Sequence, residues 1–417
     1  MATCLPGCPL GIDIPGFIRL LREGENVLAL ERIKKENPFP AICGRICPAP
    51  CEQACIFHAD GQPISIRALE RFAADKADKG TVPKMGTAPI GKKVAIIGSG
   101  PAGMGAAYYL AKANFNVTLF EAAHEPGGLL RYAIPEFRLP QKVLDEQFSH
   151  LKSLGVEIQT DAVFGRTLTI EELFMQGFSA LLLAIGASLP RFSDLPGSSL
   201  AGVYYDVEFL SRLQTTTKEG ALQTARGQMV SSPKTVVLGK AQAAFDAARL
   251  SARLGSETQV VFEGLEEQAG VGHEILEESK EEGIKVHPLK ALEIMGDGHG
   301  FVQGVKCQKL DIIEGEDGLK LEAILDEPVV LEAQTVIIAN THRPNDYLKQ
   351  YLPQLKWDQD GSLWLDAQTG MTSVEKVFAC GSIATCGSAP GGANGSVAES
   401  IASGKKAAQK IIQYLTQ

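Results

Sequence analysis

Between Lys92 and Glu121 the chain reads KKVAIIGSGPAGMGAAYYLAKANFNVTLFE. A short apolar run, Val94 to Ile97, breaks at Gly98-Ser99-Gly100-Pro101-Ala102-Gly103. A small-residue helical pattern comes next, then a second apolar run, Val117 to Phe120, closing on Glu121. Strand, glycine turn, helix, strand and acid in this order are what a dinucleotide-binding βαβ unit requires. Gly98 makes the tight turn, Gly100 lets backbone approach a pyrophosphate, and Gly103 lets the helix pack close to the strand. The helix N-terminus offers free N–H groups and a positive dipole end to phosphates. Glu121 stands where a carboxylate accepts hydrogen bonds from both ribose hydroxyls. A glycine motif alone is a weak signal; here every flanking element is in place.

The segments beyond Glu121 select the dinucleotide. Glu121 is trailed by AAHEP, by Gly127-Gly128 and by LLRYAIPEFRLP; further on come ALLLAIGASLPR from Ala180 and VFACGSIATCGS from Val377. These segments resemble the flavoprotein fingerprints of two-dinucleotide-fold, pyridine nucleotide–disulfide-type oxidoreductases. The resemblance implies FAD, held by the Gly98–Gly103 turn and Glu121. Gly128, Leu129, Arg131 and Ile134 join from the second segment, Ala184 and Gly186 from an A-I-G turn, and Gly381 and Ser382 from a Gly-Asp-like pair. Ser382 replaces the acid that holds the ribityl chain, leaving a neutral hydroxyl bond, weaker than a charge-assisted one.

Bulk properties agree. At 417 residues the chain is long enough for two or three domains. Its 45% hydrophobic content and 43 glycines suit a well-buried α/β protein. A net charge of −9, with no basic stretch to neutralise phosphates, argues against a nucleic-acid partner. No apolar run approaches the ~20 residues that span a bilayer, and the N-terminus lacks a signal-peptide core. The expected location is cytoplasmic, where cysteines rarely form disulfides.

The cysteines cluster: Cys4, Cys8, Cys43, Cys47, Cys51 and Cys55 fall in the first 55 residues, while Cys307, Cys380 and Cys386 lie outside. CGRICPAPCEQAC repeats Cys every four residues, but Pro48 and Pro50 forbid a regular helix there, which places the thiols on a turning loop. A loop of thiolates with Pro just after Cys8 and Cys47 suits a [4Fe–4S] cluster. Zinc and free thiols are the competing readings; the CxxC knuckles usual for zinc are absent.

The expected fold class is α/β: two Rossmann-like dinucleotide-binding domains, one inserted in the other, behind a small α-helical iron–sulfur domain. Residues 1–80 form the cysteine-rich domain, with helical patterns in IPGFIRLLREG and NVLALERIKKE. A polar linker, ADKADKGTVPKMGTAPIG, comes after it. Residues 92–205 and 334–417 form the FAD domain, and 206–333 the NAD(H)-binding-like domain.

GCPLGIDIPGFIRLL, ICPAPCEQAC and PISIRALERFAADKA resemble the N-terminal iron–sulfur region of the glutamate synthase small-subunit family. Dihydropyrimidine dehydrogenase and the large subunit of NADH-dependent ferredoxin:NADP oxidoreductase share this module. GGLLRYAIPEFRLP and LPGSSLAGVYYDVEFLSRL extend the match over essentially the whole chain. The resemblance implies one [4Fe–4S] cluster on Cys8, Cys47, Cys51 and Glu70, the last being the Gln or Glu of an ISIxxLE helix. The alternative for Glu70 is a surface helix acid. A second cluster in relatives uses positions matching Cys4 and Cys55 plus two cysteines further upstream; Cys43 is a substitute candidate, and one complete cluster is expected.

The middle domain departs from the pattern. Relatives read GGGNTAMDAAR where this chain has Gly239-Lys240-Ala241-Gln242 and on to Arg249. Ala241 replaces the glycine that admits a pyrophosphate, and its methyl crowds that contact; Lys240 offers a charge instead. Glu263, 24 residues after Gly239, meets a ribose hydroxyl and repels a 2′-phosphate, favouring NADH over NADPH. A decayed site is the competing reading, and Thr341, standing where relatives have Gly, adds weight to it.

No hydrolytic or acid–base constellation emerges, the seven histidines lack metal-ligand spacing, and no catalytic side chain is assigned. The expected function is an FAD- and iron–sulfur-containing subunit that exchanges hydride with NAD(H) and single electrons with a partner redox subunit. Two alternatives stay open: an NADPH-dependent glutamate synthase small subunit, and a non-catalytic FAD-bearing assembly subunit.

Overall fold

The computed structural model describes residues 4–58, 61, 63–77, 91–218, 232–315, 318–323, 328–340, 342–359, 361–385 and 395–417. The chain forms two compact units: Met1–Arg131, Glu136–Leu189 and His342–Gln417 make the first, Tyr132–Pro135 and Pro190–Thr341 the second. The second is thus an insertion in the first, with boundaries near 190 and 341 rather than 205 and 334. Sheet pairing explains the difference. Val336, Ile337 and Ile338 pair in parallel with Val203, Tyr204 and Tyr205, so both flanking strands belong to the inserted sheet.

After the short helix Cys4–Gly7, the first unit runs through helices Ile14–Arg22, Asn26–Lys34, Pro40–Ile46, Pro50–Gln53 and Ile66–Lys76. Asp13 caps Ile14–Arg22 by accepting from the Gly16 N–H at 3.1 Å. Ile14 and Phe17, one turn apart, are the face it buries. The Ile66–Lys76 helix takes in Ala74 to Lys76, which the composition assigned to the linker; residues 78–90 of that linker lie outside the described residues.

Behind these helices stands a five-stranded parallel sheet in the order Val377–Ala379, Phe178–Leu183, Lys93–Ile97, Asn116–Phe120, Glu157–Gln159. In chain order this is 5-4-1-2-3, the arrangement of one dinucleotide-binding half. Val94, Ala95 and Ile96 are 0% exposed, as in a parallel strand covered on both faces. Ala95, Leu181 and Val377 share one core with Leu173 and Leu363.

Helix Pro101–Lys112, with Pro101 at its permissive first turn, packs closely on the last helix, Val397–Thr416. Glycines allow the approach. A methyl on Gly404 would run into the Ala102 carbonyl, and one on Gly105 would lie 3.0 Å from the Ile401 carbonyl. Ser396 and Glu399 cap the N-terminus of the last helix with a reciprocal capping box.

The second unit carries an eight-stranded sheet. Lys285–Gly296, Glu257–Phe262, Lys234–Gly239, Thr335–Ala339 and Val203–Tyr205 run in parallel, extended by antiparallel Val302–Gly315 with Gly318–Ala323 and Val329–Glu332. Val237, Val260 and Ile337 pack under helix Gln242–Arg253 through Ala244, Phe245 and Ala248. Among the described residues no helix is long and apolar enough to cross a membrane.

Candidate functional site

The glycine turn divides its labour. Gly98 has φ +103°, and a methyl there would strike the Ala184 carbonyl; one on Gly103 would strike the carbonyl of Gly98. Both are required by the fold itself. Gly100 has ordinary backbone angles, φ −67° and ψ −177°, and a methyl there would meet nothing within 4 Å. Space kept open above an unstrained glycine at a helix N-cap is what a pyrophosphate needs. Gly128, at φ +53°, comes close enough that a methyl would lie 3.2 Å from the Gly100 Cα. Gly381 would place its methyl 2.8 Å from Ala102, and its N–H donates to Ser403 Oγ at 3.0 Å. Gly98, Gly100, Gly103, Gly128, Ala184 and Gly381 therefore converge, with Pro101 and Ala102 opening the helix and Ser382 beginning the short helix Ser382–Thr385.

Glu121 is 9% exposed and already carries three protein donors. Its Oε2 accepts from the Ser99 N–H at 3.1 Å and from the Ser99 hydroxyl, and its Oε1 from the Ala123 N–H at 2.9 Å. A carboxylate has about four acceptor positions, so about one remains, enough for one ribose hydroxyl rather than the expected two. Ser99 Oγ also accepts from the Gly127 N–H at 2.7 Å, tying the glycine pair to the first turn.

The other four residues of the expected flavin set are placed differently. Arg131 is 3% exposed, and its guanidinium is spent on the Pro126 carbonyl at 2.6 Å, Gln141 at 2.8 Å, Asp145 at 2.5 Å and Glu125 at 3.3 Å. It braces its own loop. Ile134 belongs to the second unit, where its carbonyl accepts from Gln214. Leu129 is half-buried in the short helix Leu129–Tyr132, and Gly186, at φ +76°, has open space around it.

The cysteine loop is more helical than expected. Pro50 does not abolish helix but starts one: Cys43 lies in Pro40–Ile46, Cys51 in Pro50–Gln53, and the break is confined to residues 47–49, where Ala49 takes φ +54°. Cys8, Cys43, Cys47, Cys51, Glu70 and Asn37 line one cavity, which Ala398 of the last helix also walls. Among the described residues no three His, Cys, Asp or Glu side chains converge to hold a single metal ion. Three thiols and a carboxylate spread around one buried cavity have the donor chemistry of a cluster site, and Cys43 adds a fourth sulfur. Cys4 and Cys55 lie near each other, outside that cavity.

Glu70 is buried, 7% exposed, and not on the surface. Burial pushes its carboxyl up to about 8, against the Asn37 amide, which donates to Oε1 at 2.7 Å. Burial likewise pushes the Cys47 and Cys51 thiols up to about 12, and Cys43 well above its ordinary value. Thiols this reluctant to ionise alone are stabilised as thiolates by metal. Arg67 donates to the Cys47 carbonyl at 3.2 Å. Of the remaining cysteines, Cys307 and Cys380 are buried core residues, and Cys386 lies outside the described residues.

In the second unit Gly239 has φ +139°, and a methyl there would strike the Ala339 carbonyl. Ala241 takes φ +72° and ψ 178°, a region essentially reserved for glycine. Its N–H donates to the Ala269 carbonyl at 2.6 Å, so the amide at this turn position is already engaged. Gln242 Nε2 donates to Asp246 at 3.0 Å, and Lys240 is exposed. Glu263 is no buried charge: its side chain is 56% exposed and 3.8 Å from Lys290 Nζ. Thr341 lies outside the described residues. Asn37, Ser403 and Ala269 had no local sequence signal; each acts on a residue distant in the chain.

A cysteine-lined cavity joined to one dinucleotide fold, with a second dinucleotide-type fold inserted, defines a nicotinamide-dependent flavoprotein oxidoreductase with an iron–sulfur domain. Residues 92–409 match the family model for pyridine nucleotide-disulphide oxidoreductases, and the chain belongs to that family. Residues 1–82 match the model for dihydropyrimidine dehydrogenase domain II, 4Fe-4S cluster. The combination is that of the glutamate synthase small-subunit-like branch. The chain is 42% identical over 209 residues to the glutamate synthase [NADPH] small chain of Mycobacterium tuberculosis, covering 50% of this chain and 43% of the relative. It is 28% identical over 442 residues to the NADP(+)-dependent formate dehydrogenase subunit beta of Moorella thermoacetica, covering 100% of this chain and 60% of that one. The matches thus span roughly half of these relatives' own length. Mycobacterium tuberculosis FprA in complex with NADPH shares the fold, with a TM-score of 0.60 and 19% identity over 79% of this chain and 85% of that chain.

Proposed function

We propose that this chain is an electron-transfer subunit that binds FAD in its first unit and one [4Fe–4S] cluster in its N-terminal domain, exchanging hydride with NAD(H) and single electrons with a partner redox subunit. One helix carries the proposal. In Val397–Thr416, Ala398 walls the cysteine cavity, while Ser403 holds the Gly381 N–H of the flavin-type loop. They stand five positions apart along the helix, ~7.5 Å at 1.5 Å per residue. Cavity and flavin turn therefore share one rigid element.

Gly98 to Gly103, Glu121, Gly128, Ala184 and Gly381 would cradle the dinucleotide, with Ser382 at the ribityl chain. Cys8, Cys47, Cys51 and Glu70 would hold the cluster. When bound, FAD supplies the exchange between a two-electron hydride and single electrons. Gly239, Lys240, Gln242 and Glu263 would form the nucleotide end of the second unit. The beta subunit of a formate dehydrogenase among the relatives supports a redox partner. Anaerobic titration with NADH and NADPH, read as flavin bleaching beside an iron assay of about four per chain, is the test. Iron near zero removes the electron exit.

The engaged N–H of Ala241 favours a second reading, in which the nucleotide site is closed and the chain carries FAD and cluster without hydride exchange. On that reading neither nucleotide bleaches the flavin, while both cofactors remain. The glutamate synthase small-chain assignment rests on the mycobacterial relative, and it predicts NADPH as the better reductant.

A further inference from the structure

Asn37 is 0% exposed and lines the cysteine cavity. Its Oδ1 accepts from the Phe39 N–H at 3.0 Å, an Asx turn that fixes which way the amide faces. The nitrogen therefore points into the cysteine cavity, where it donates to Glu70 Oε1 at 2.7 Å. The same amide faces Cys43 and favours thiolate there. Pro38 and Pro40 on either side stiffen the turn.

A buried carboxylate that binds iron through one oxygen leaves the other in a cavity from which water is largely excluded. That oxygen needs a donor, or the site bears the cost of an unsatisfied charged acceptor. Outer-shell hydrogen bonds to ligating carboxylates orient them and set the electronics of the metal. Donors to a cluster's coordination shell raise its reduction potential, because they withdraw charge from the ligand and favour the more negative reduced state.

We infer that Asn37 is the positioning residue of the cluster: its amide engages Glu70 Oε1, presents Oε2 to iron, and holds the cluster's reduction potential up. The inference rests on Glu70 being a ligand. Position 37 thereby sets how readily the cluster accepts an electron without contacting it.

The test uses the full chain prepared anaerobically, with Asn37→Ser, Glu70→Ala and the double variant. Serine keeps an oxygen for the Phe39 N–H but is too short to reach Glu70, and it introduces no charge. The readouts are iron content, electron paramagnetic resonance of the reduced cluster, and its midpoint potential. Asn37→Ser should lower the potential and change the g-values in the parent, and do neither in the Glu70→Ala background. A parent-like spectrum and potential in Asn37→Ser overturns the inference, as does a shift that persists without Glu70. Loss of iron in Asn37→Ser with unchanged circular dichroism supports it only where Glu70→Ala loses iron to the same extent and the double variant no more; additive loss overturns it. A spectrum unchanged by Glu70→Ala overturns the ligand assignment itself, which separates the two failures.

Discussion

Ser99 and Glu121 form one buried hydrogen-bonded unit: the serine gives both its N–H and its hydroxyl to the same carboxylate oxygen. The hydroxyl oxygen in turn holds the Gly127 N–H at 2.7 Å, so one side chain joins the first turn, the acid at the end of the second strand, and the glycine pair beyond it.

Removing that link should loosen the flavin site without unfolding it. Ser99→Ala takes a hydrogen bond from a buried carboxylate and strands the Gly127 N–H, a loss of ~2 kcal/mol, or roughly 30-fold in flavin affinity. Equilibrium dialysis against FAD checks it. Affinity equal to the parent's would mean the link is ornamental.

Two glycines of the same turn should fail in opposite ways. Gly100→Val places its side chain in open space at permitted backbone angles, so the protein should fold and emerge without flavin. Gly103→Ala drives a methyl into the Gly98 carbonyl and should cost about 3 kcal/mol of stability even without flavin. Thermal melts and absorbance at the flavin bands, measured on both variants, separate blocked binding from broken packing.

Ala241→Gly should stabilise the second unit. The present φ of +72° with ψ near 180° costs an alanine ~1–3 kcal/mol, partly offset by the chain entropy a glycine adds to the unfolded state. A net gain of about 1 kcal/mol is expected in denaturant melts of the flavin-loaded chain. Unchanged or lower stability would mean that the neighbouring Ala269–Gly270 segment has relaxed the strain.

Nucleotide choice should be modest. Glu263 is solvent-exposed beside Lys290, and an exposed charge is worth about 1 kcal/mol or less, a preference for NADH of at most about fivefold. Glu263→Arg should reverse it, because a guanidinium pairs a 2′-phosphate bidentately. Stopped-flow bleaching with each nucleotide is the measurement; a hundredfold preference would require determinants other than this side chain.

The parts that were legible in sequence are those whose cause is local. Gly98 to Glu121 could be read because a tight turn, a phosphate approach and a helix start each demand a residue type within a few positions. That Cys8, Cys47 and Cys51 share one cavity accords with the family resemblance of their segments, which local spacing alone did not carry. What escaped depends on partners far along the chain. Asn37 reaches Glu70 across 33 positions, and Ser403 reaches Gly381 across 22. Arg131 reads as a ligand until the fold surrounds it with Asp145 and Gln141. The unit boundary slipped because Val203–Tyr205 is only three residues long, too short for alternation to reveal its sheet.

The last helix has a consequence for anyone who would treat the cysteine-rich segment as a portable module. Ala398 is part of its cavity wall, and Glu36 is held by the hydroxyl of Tyr109 and the ammonium of Lys405, which belong to the body of the first unit. A cut after residue 77 would open the cavity to solvent and leave Glu36 without its anchors. Transplanting this redox centre onto another scaffold therefore means carrying the first half of a helix that begins some three hundred residues later.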